Sequence, residues 1–339
     1  MGAALKIFST LFTGLLAALS ISVAVTAAAQ TAPRPKVGSI TYIGFAGGPL
    51  NLTEQVAIDR GMFAAHGLDV KYISAGAGPQ MISALMGGSA QIGVLTMSAS
   101  APLIRQGQCF QYLTSGARAY FNLLAQPDLK LPNANVPFPG NLVDLKGKKI
   151  GIVARGTVME FIMETLLKQA GVNPADVTYI GTGGAATAVA AFRNRQIDVA
   201  LTFPIQEQML KPNEYQVLAK LHEIEKNNPI YGLTQVFSGT TCDFAKSNPA
   251  IVAAFCSAVG EAYRYVNNPA NTEVVIRVVQ QTLSIDKPTA ESFWQQYKAS
   301  WPSPKIDTAS WNAQRIVVPQ GTDVPNFAEH VPSACQSRL

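Results

Sequence analysis

The sequence predicts an α/β protein in which one strand–helix–strand arrangement occurs twice. The segments Val-Lys-Tyr-Ile at 70–73 and Val-Thr-Tyr-Ile at 177–180 are each followed by a glycine-rich loop and a helical segment. Each helical segment leads to a related strand, Gln-Ile-Gly-Val at 91–94 and Gln-Ile-Asp-Val at 196–199. Strands that alternate with helices of this length indicate right-handed βαβ units on a parallel sheet. A chain of 339 residues can hold two such cores, so we expect two similar lobes that face each other across a cleft.

The N-terminus has the features of a secretory signal peptide. Lys6 precedes an apolar run from 7 to 25, and an Ala-x-Ala cleavage site ends at Ala29. An uncleaved membrane anchor is the alternative, because the apolar run could just span a bilayer. The small residues and the proline-rich segment 31–35 that follow favour cleavage, so we assign residues 1–29 to the signal peptide.

The first unit consists of alternating strands and helices. They are a strand at 36–42, a helix at 52–65, a strand at 68–73, a helix through Met81, Leu85 and Met86, and a strand at 91–95.

The second unit repeats this order. It comprises a strand at 150–153, a helix through Phe161, Ile162, Leu166 and Leu167, a strand at 177–180, a helix through Val189 and Phe192, and a strand at 197–201. A further strand at 234–240 precedes two helical segments with apolar stripes, and the tail after Trp301 is rich in proline.

The loops that follow the strands contain the candidate ligand-binding residues. In sheets of this type, ligands bind outside the carboxyl ends of the strands. Glycines there allow the backbone to approach a ligand, and helix N-termini attract anions. Hydroxyl donors, a guanidinium suited to a carboxylate or sulfonate, and two aromatic walls complete the set. The predicted ligand-binding residues are Phe45, Gly47, Gly76, Gly78, Thr96, Ser98, Arg155, Gly156, Thr157, Gly183 and Phe203.

Each of these candidates has a purely structural alternative. Arg155 could form a surface ion pair, and the glycine-rich loops could be ordinary turns between strand and helix. Phe45 and Phe203 could be packed in the core, and Thr96 or Ser98 could cap a helix.

The sequence lacks the residue patterns that metal, dinucleotide and nucleic-acid binding require. The three histidines, His66, His222 and His330, show no metal-ligand spacing, so we expect no metal site and no other cofactor. The glycine pattern at 181–186 resembles a dinucleotide fingerprint, but Asp198 lies inside the next strand instead of at its end. The formal charge of +5 has no arginine–lysine cluster behind it, which argues against nucleic acid.

Four cysteines, Cys109, Cys242, Cys256 and Cys335, allow three disulfide pairings. Export to an oxidising compartment permits disulfides. The pairing expected from local spacing is Cys242 with Cys256, although the sequence does not decide among the three.

Four motifs in order resemble those of periplasmic solute-binding proteins of ABC importers for nitrate, sulfonates and taurine. They are Ala-Ile-Asp-Arg-Gly-Met-Phe-Ala-Ala-His-Gly-Leu-Asp-Val at 57–70, Asp-Leu-Lys-Gly-Lys-Lys-Ile-Gly at 144–151, Gln-Ile-Asp-Val-Ala at 196–200 and Lys-Ser-Asn-Pro-Ala at 246–250. The resemblance covers about residues 37–268. It implies a type II periplasmic-binding-protein fold, with lobe one at 37–120 plus 232–339, including the C-terminal helices, and lobe two at 121–231.

The resemblance also implies a function. We expect a monomeric, non-enzymatic protein of the periplasm that captures a small organic anion, such as a sulfonate or carboxylate, and delivers it to an inner-membrane ABC permease. The alternative is a binder of a thiamine or pyrimidine precursor, or an enzyme resembling the thiamine-pyrimidine synthase of the same superfamily. The cysteine-rich segment of that synthase is missing here, because no two cysteines are closer than Cys242 and Cys256.

Overall fold

The computed structural model describes residues 35–46 and 48–339. The expected signal peptide, residues 1–29, and the candidate Gly47 lie outside the described residues.

The described residues form ten strands. In chain order they are β1 Gly38–Phe45, β2 Leu68–Ala75, β3 Ile92–Leu95, β4 Phe110–Ser115, β5 Asn122–Ala125, β6 Lys149–Ile152, β7 Thr178–Gly181, β8 Val199–Thr202, β9 Gln216–Lys220 and β10 Phe237–Thr241.

Fourteen α-helices lie in the same described ranges. They are α1 Leu52–Asp59, α2 Met62–Ala65, α3 Gly78–Met86, α4 Met97–Arg105, α5 Val158–Gln169, α6 Ala185–Arg193, α7 Pro204–Gln208, α8 Cys242–Ser247, α9 Pro249–Val266, α10 Thr272–Leu283, α11 Lys287–Tyr297, α12 Thr308–Ala313, α13 Phe327–His330 and α14 Ser333–Gln336. None of them, within 35–46 and 48–339, has both the length and the apolar character needed to cross a bilayer.

The strands form two five-stranded sheets with equivalent orders, β2-β1-β3-β10-β4 and β7-β6-β8-β5-β9. In each sheet the βαβ strands pair in parallel, whereas β10 and β5 pair antiparallel to their neighbours. Both sheets are therefore mixed: the βαβ pattern predicted the parallel pairs correctly but did not predict the antiparallel strands β5 and β10. The reason is that the chain passes from the first sheet to the second between β4 and β5 and returns between β9 and β10. The strand after each passage enters its sheet from the opposite end.

The extent of the lobes stays a proposal. All strands of the second sheet lie within 121–231, and all strands of the first lie outside it. This distribution supports the boundaries that the sequence suggested.

The helix expected at 52–65 is interrupted. It forms as α1 and α2, because Gly61 takes a left-handed conformation with φ 66° between them. An interior glycine reverses the backbone at little steric cost, so the chain turns there instead of continuing the helix.

The disulfides differ from the expected pairing. Cys109 bonds to Cys242 and Cys256 bonds to Cys335, with Cα atoms 5.3 and 5.5 Å apart. The expectation of Cys242 with Cys256 is wrong. Antiparallel pairing of β4 with β10 brings the residue before β4 next to the residue after β10, and the Cys242 amide donates to the Cys109 carbonyl at 3.0 Å.

Removing a disulfide that connects distant parts of the chain should destabilise the protein. Replacing Cys256 and Cys335 together with alanine frees α9 from α14, and we expect about 2–4 kcal/mol of lost stability. Urea unfolding of the double variant measures this loss. Peptide mapping without reduction should give the pairs 109–242 and 256–335, and a 242–256 peptide would contradict the structure.

A buried carboxylate connects α1 to the first sheet. Glu54 is 1% exposed and accepts hydrogen bonds from Thr114 on β4 at 2.8 Å and from Ser238 on β10 at 2.6 Å. The Tyr42 hydroxyl lies 2.8 Å from the Ser238 hydroxyl and extends the chain of hydrogen bonds to β1. Burial raises the pKa of Glu54 above its usual 4.5, although the two hydroxyl donors counteract it.

This raised pKa predicts a pH dependence of stability. The folded state binds a proton at Glu54 more tightly than the unfolded chain, so stability falls as the pH rises above 4.5 toward the folded pKa. In Glu54→Gln the side-chain carbonyl can still accept both hydrogen bonds, but the side chain at this position no longer binds or releases a proton. Urea unfolding at pH 5 and pH 7 should therefore show a smaller loss of stability in the variant, and an identical loss in both proteins would refute the assignment.

Candidate functional site

A cavity lies where the carboxyl ends of strands from the two sheets meet. The first sheet contributes Phe45 at the end of β1 and residues that follow β2 and β3, namely Ala77, Gly78, Pro79, Thr96 and Ser98. The second sheet contributes residues after β6 and β8, namely Val153, Thr157, Val158, Met159 and Phe203. Phe121, Gln235 and Val236, from the segments that connect the sheets, complete the wall.

Three helices begin at this cavity. The N-cap residues of α3, α4 and α5 are Ala77, Thr96 and Thr157, and all three line the wall. None of these N-caps makes a side-chain capping hydrogen bond. The first amides of a helix have no acceptor within the helix, and together they carry a partial positive charge. Helix ends with unsatisfied amides therefore lie at the cavity on the side of each sheet, although Pro79, the second residue of α3, has no N–H to donate.

The hydroxyl groups of the wall are placed differently in the two sheets. In the first, the Ser98 hydroxyl is 3.5 Å from the Thr96 hydroxyl, a long contact that leaves both groups able to donate to a ligand. In the second, the Thr157 hydroxyl donates to the Ala154 carbonyl at 2.7 Å and holds the turn before α5. The Thr157 hydroxyl would have to give up this hydrogen bond to donate to a ligand, as the sequence predicted.

Aromatic rings close the cavity. Phe45 and Phe203 lie on opposite sheets and meet edge to face, with ring centroids 6.2 Å apart. Phe121 packs behind Phe203 at 5.1 Å, and Tyr120 lies 6.1 Å from the same ring. Burial raises the pKa of Tyr120, whose hydroxyl has no partner, so this ring stays neutral. An apolar part of a ligand would meet Phe45 and Phe203.

Similar structures and a family model identify the architecture. Residues 134–272 match the model of the NMT1/THI5-like family. A structure from Bordetella bronchiseptica RB50 is 20% identical with a TM-score of 0.72, over 88% of this chain and 96% of that one. The alkanesulfonate-binding protein SsuA from Xanthomonas axonopodis pv. citri, bound to MOPS, is 17% identical with a TM-score of 0.67, over 88% and 99% of the chains.

The periplasmic nitrate-binding protein NrtA from Synechocystis PCC 6803 is also similar, with 16% identity and a TM-score of 0.61, over 76% of this chain and 69% of that one. The comparison with curated protein sequences found no match. The chain has the periplasmic-binding-protein fold. The type II fold and the family resemblance predicted from the sequence are confirmed.

The cleft of this periplasmic-binding-protein fold is closed. The space open to the centres of water molecules is about 30 Å³. One water needs at least about 10–15 Å³ by this measure, so about two waters fit. A larger ligand needs more room than this, and Phe45 and Phe203 meet across the cavity.

Arg155 does not line the cavity. Its side chain is 64% exposed and its Nε lies 2.7 Å from Oε1 of Glu160, which is buried in the first turn of α5. The guanidinium also stands 5.1 Å from the centroid of the Tyr179 ring. Glu160 in turn accepts a hydrogen bond from the Gly156 amide at 2.5 Å. In this closed arrangement Arg155 offsets the charge of Glu160, and its contact with a ligand stays a prediction.

Of the ten predicted ligand-binding residues that the structure describes, six line the cavity and four do not. Phe45, Gly78, Thr96, Ser98, Thr157 and Phe203 line the wall, whereas Gly76, Arg155, Gly156 and Gly183 lie outside it. Gly156 and Gly183 have φ of 72° and 69°, so glycine serves the left-handed turns there. Gly78 is different, because a Cβ added to it would lie 2.6 Å from the Thr96 hydroxyl oxygen.

Three of the lining residues that the sequence did not predict come from the connecting segments. Phe121 precedes β5, and Gln235 and Val236 precede β10. Because these strands run antiparallel, their starting ends lie beside the carboxyl ends of β8 and β3. The signal for them was the passage of the chain between the lobes, which the resemblance implied and which places the starts of β5 and β10 at this edge. Within the described ranges, no three His, Cys, Asp or Glu side chains group to hold a metal ion.

The close approach of Gly78 to Thr96 predicts that adding a methyl group at this position destabilises the protein. Gly78→Ala should lower the free energy of unfolding by about 1–3 kcal/mol, because the new methyl group overlaps Thr96. Gly76→Ala is the matched control, since its Cβ would lie 3.8 Å from the nearest atom, Oε1 of Gln80. Urea unfolding compares the two, and equal stability of both variants would rule out the packing argument.

Proposed function

We propose that this protein captures a small organic anion between its two lobes and delivers it to an inner-membrane ABC permease. The observation that supports this most is the convergence of the N-termini of α3, α4 and α5 on one enclosed cavity. Of the described residues that line it, none carries a formal charge. Fixed amide dipoles and neutral hydroxyls therefore provide the complement to a negative charge.

The solved structures support the same class of function. One is described as alkanesulfonate-binding and another as nitrate-binding and periplasmic. For this chain we propose the periplasm as the location, a monomer as the working form, and binding without catalysis. Sulfonate, taurine, nitrate or a small carboxylate are the ligand classes to be compared.

Capture would proceed by closure of the lobes. Each sheet supplies part of the wall, so a bound anion stabilises the closed arrangement to the extent that it binds that state more tightly. The edge-to-face contact of Phe45 with Phe203 forms across the cleft on closure and contributes apolar burial. Opening separates these rings and admits the next ligand.

The second candidate is binding of a pyrimidine precursor of thiamine. The match of residues 134–272 to the NMT1/THI5-like model favours it, and Phe45, Phe121 and Phe203 could contact a flat ring. The enzymatic version of this candidate has less support. All four cysteines are bound in disulfides, and none lines the cavity, so a thiol is not part of its wall.

The helix N-termini predict that the protein binds an anion more tightly than a neutral molecule of the same shape. Titration calorimetry should show binding of propanoate and methanesulfonate and weaker binding of their neutral analogues propanamide and methanesulfonamide. Three helix ends at about 0.3–1 kcal/mol each give a preference of about fivefold to hundredfold for the anion. Equal affinity within each pair would refute the anion site. Tight binding of an aminopyrimidine with no anion binding would select the second candidate.

A further inference from the structure

Gln235 places a buried acceptor without a partner at the cavity. The residue is 5% exposed and lines the wall. Its side-chain Oε1 is buried and has no hydrogen-bond partner. Leaving a buried acceptor unpaired destabilises a folded protein, so such an atom calls for a donor that the chain does not supply.

The position of Gln235 is set by its neighbours. Its amide donates to the Ala117 carbonyl at 2.8 Å, and the preceding carbonyl, of Thr234, accepts from the side chain of Gln314 at 3.0 Å. Both connecting segments are thus joined at the point where the chain enters β10. The backbone around Gln235 is held by these bonds, while its side-chain oxygen has no partner among the described residues.

The other polar groups of the wall have the opposite hydrogen-bonding character. The amides at the helix N-termini can only donate, and the hydroxyls of Thr96 and Ser98 can donate to an anion. A simple anion satisfies these donors but leaves Oε1 of Gln235 unpaired. A ligand that carries both an anionic group and a hydrogen-bond donor satisfies both sets.

We propose that Gln235 selects anions that carry a neutral hydrogen-bond donor, such as a hydroxyl or an amide N–H. This inference rests on the proposed function and narrows its ligand class. A neutral donor fits better than an ammonium group, because the described lining residues include no carboxylate to pair with a positive charge. Hydroxy-substituted sulfonates and carboxylates are therefore the preferred class.

Isosteric ligand pairs test the proposal directly. Calorimetric titration compares isethionate with propane-1-sulfonate, glycolate with propanoate, and 3-hydroxypropanoate with butanoate. Within each pair a hydroxyl replaces a methyl group, while charge and size are kept. We expect the hydroxy member of at least one pair to bind about tenfold more tightly, because the other member leaves Oε1 unpaired.

The variant Gln235→Met assigns the preference to this side chain. Methionine keeps the length of the side chain and removes the carbonyl, so the preference should fall to about twofold or less, mainly through weaker binding of the hydroxy ligand. Gln295→Met, on the exposed face of α11, is the matched control and should keep the wild-type preference.

The possible results separate this inference from the proposed function. Equal affinities within every pair in the wild-type protein would overturn the role of Gln235 and leave anion capture intact. A preference that persists in Gln235→Met would overturn it as well. Binding of none of the six anions would overturn the proposed function, and the inference with it. If the variant does not fold, the wild-type comparison alone decides.

Discussion

The unpaired amides at the starts of α3, α4 and α5 are the constraint on which the site depends. The N-cap residues of these helices line a cavity with room for about two waters, so the partial charges of the helix ends are poorly screened. Two neighbouring features agree with a site for an anion. Gly78 lets α3 approach Thr96 closely, and Arg155 pairs with Glu160 beside the turn that precedes α5.

The two antiparallel strands explain how one cavity receives residues from both sheets. β5 and β10 each begin at the edge where the parallel strands of their sheet end. The segments that connect the sheets therefore run through the binding region as well as between the lobes. Phe121 and Gln235 belong to these segments, so a ligand that contacts them contacts the connections between the two sheets.

The first sheet is reinforced away from the cavity. One disulfide joins the ends of β4 and β10, and the other joins α9 to α14. Glu54 connects α1 to β4 and β10 through hydrogen bonds that water does not reach. These links connect α1, β4 and β10, and β10 pairs with β3, the strand that precedes α4.

The sequence by itself determined the α/β class, the repeated βαβ order and six of the cavity residues, because these depend on local periodicity and on glycine or hydroxyl residues next to strand ends. The disulfide pairing, the break at Gly61 and the ion pair of Arg155 required the tertiary structure. So did the roles of Phe121 and Gln235. The direction of β5 and β10 depends on how the chain passes between two sheets, and that choice rests on contacts between residues far apart in sequence. Local pattern carries no information about such contacts, so only the folded chain decided which strand ends met and which polar atom was left without a partner.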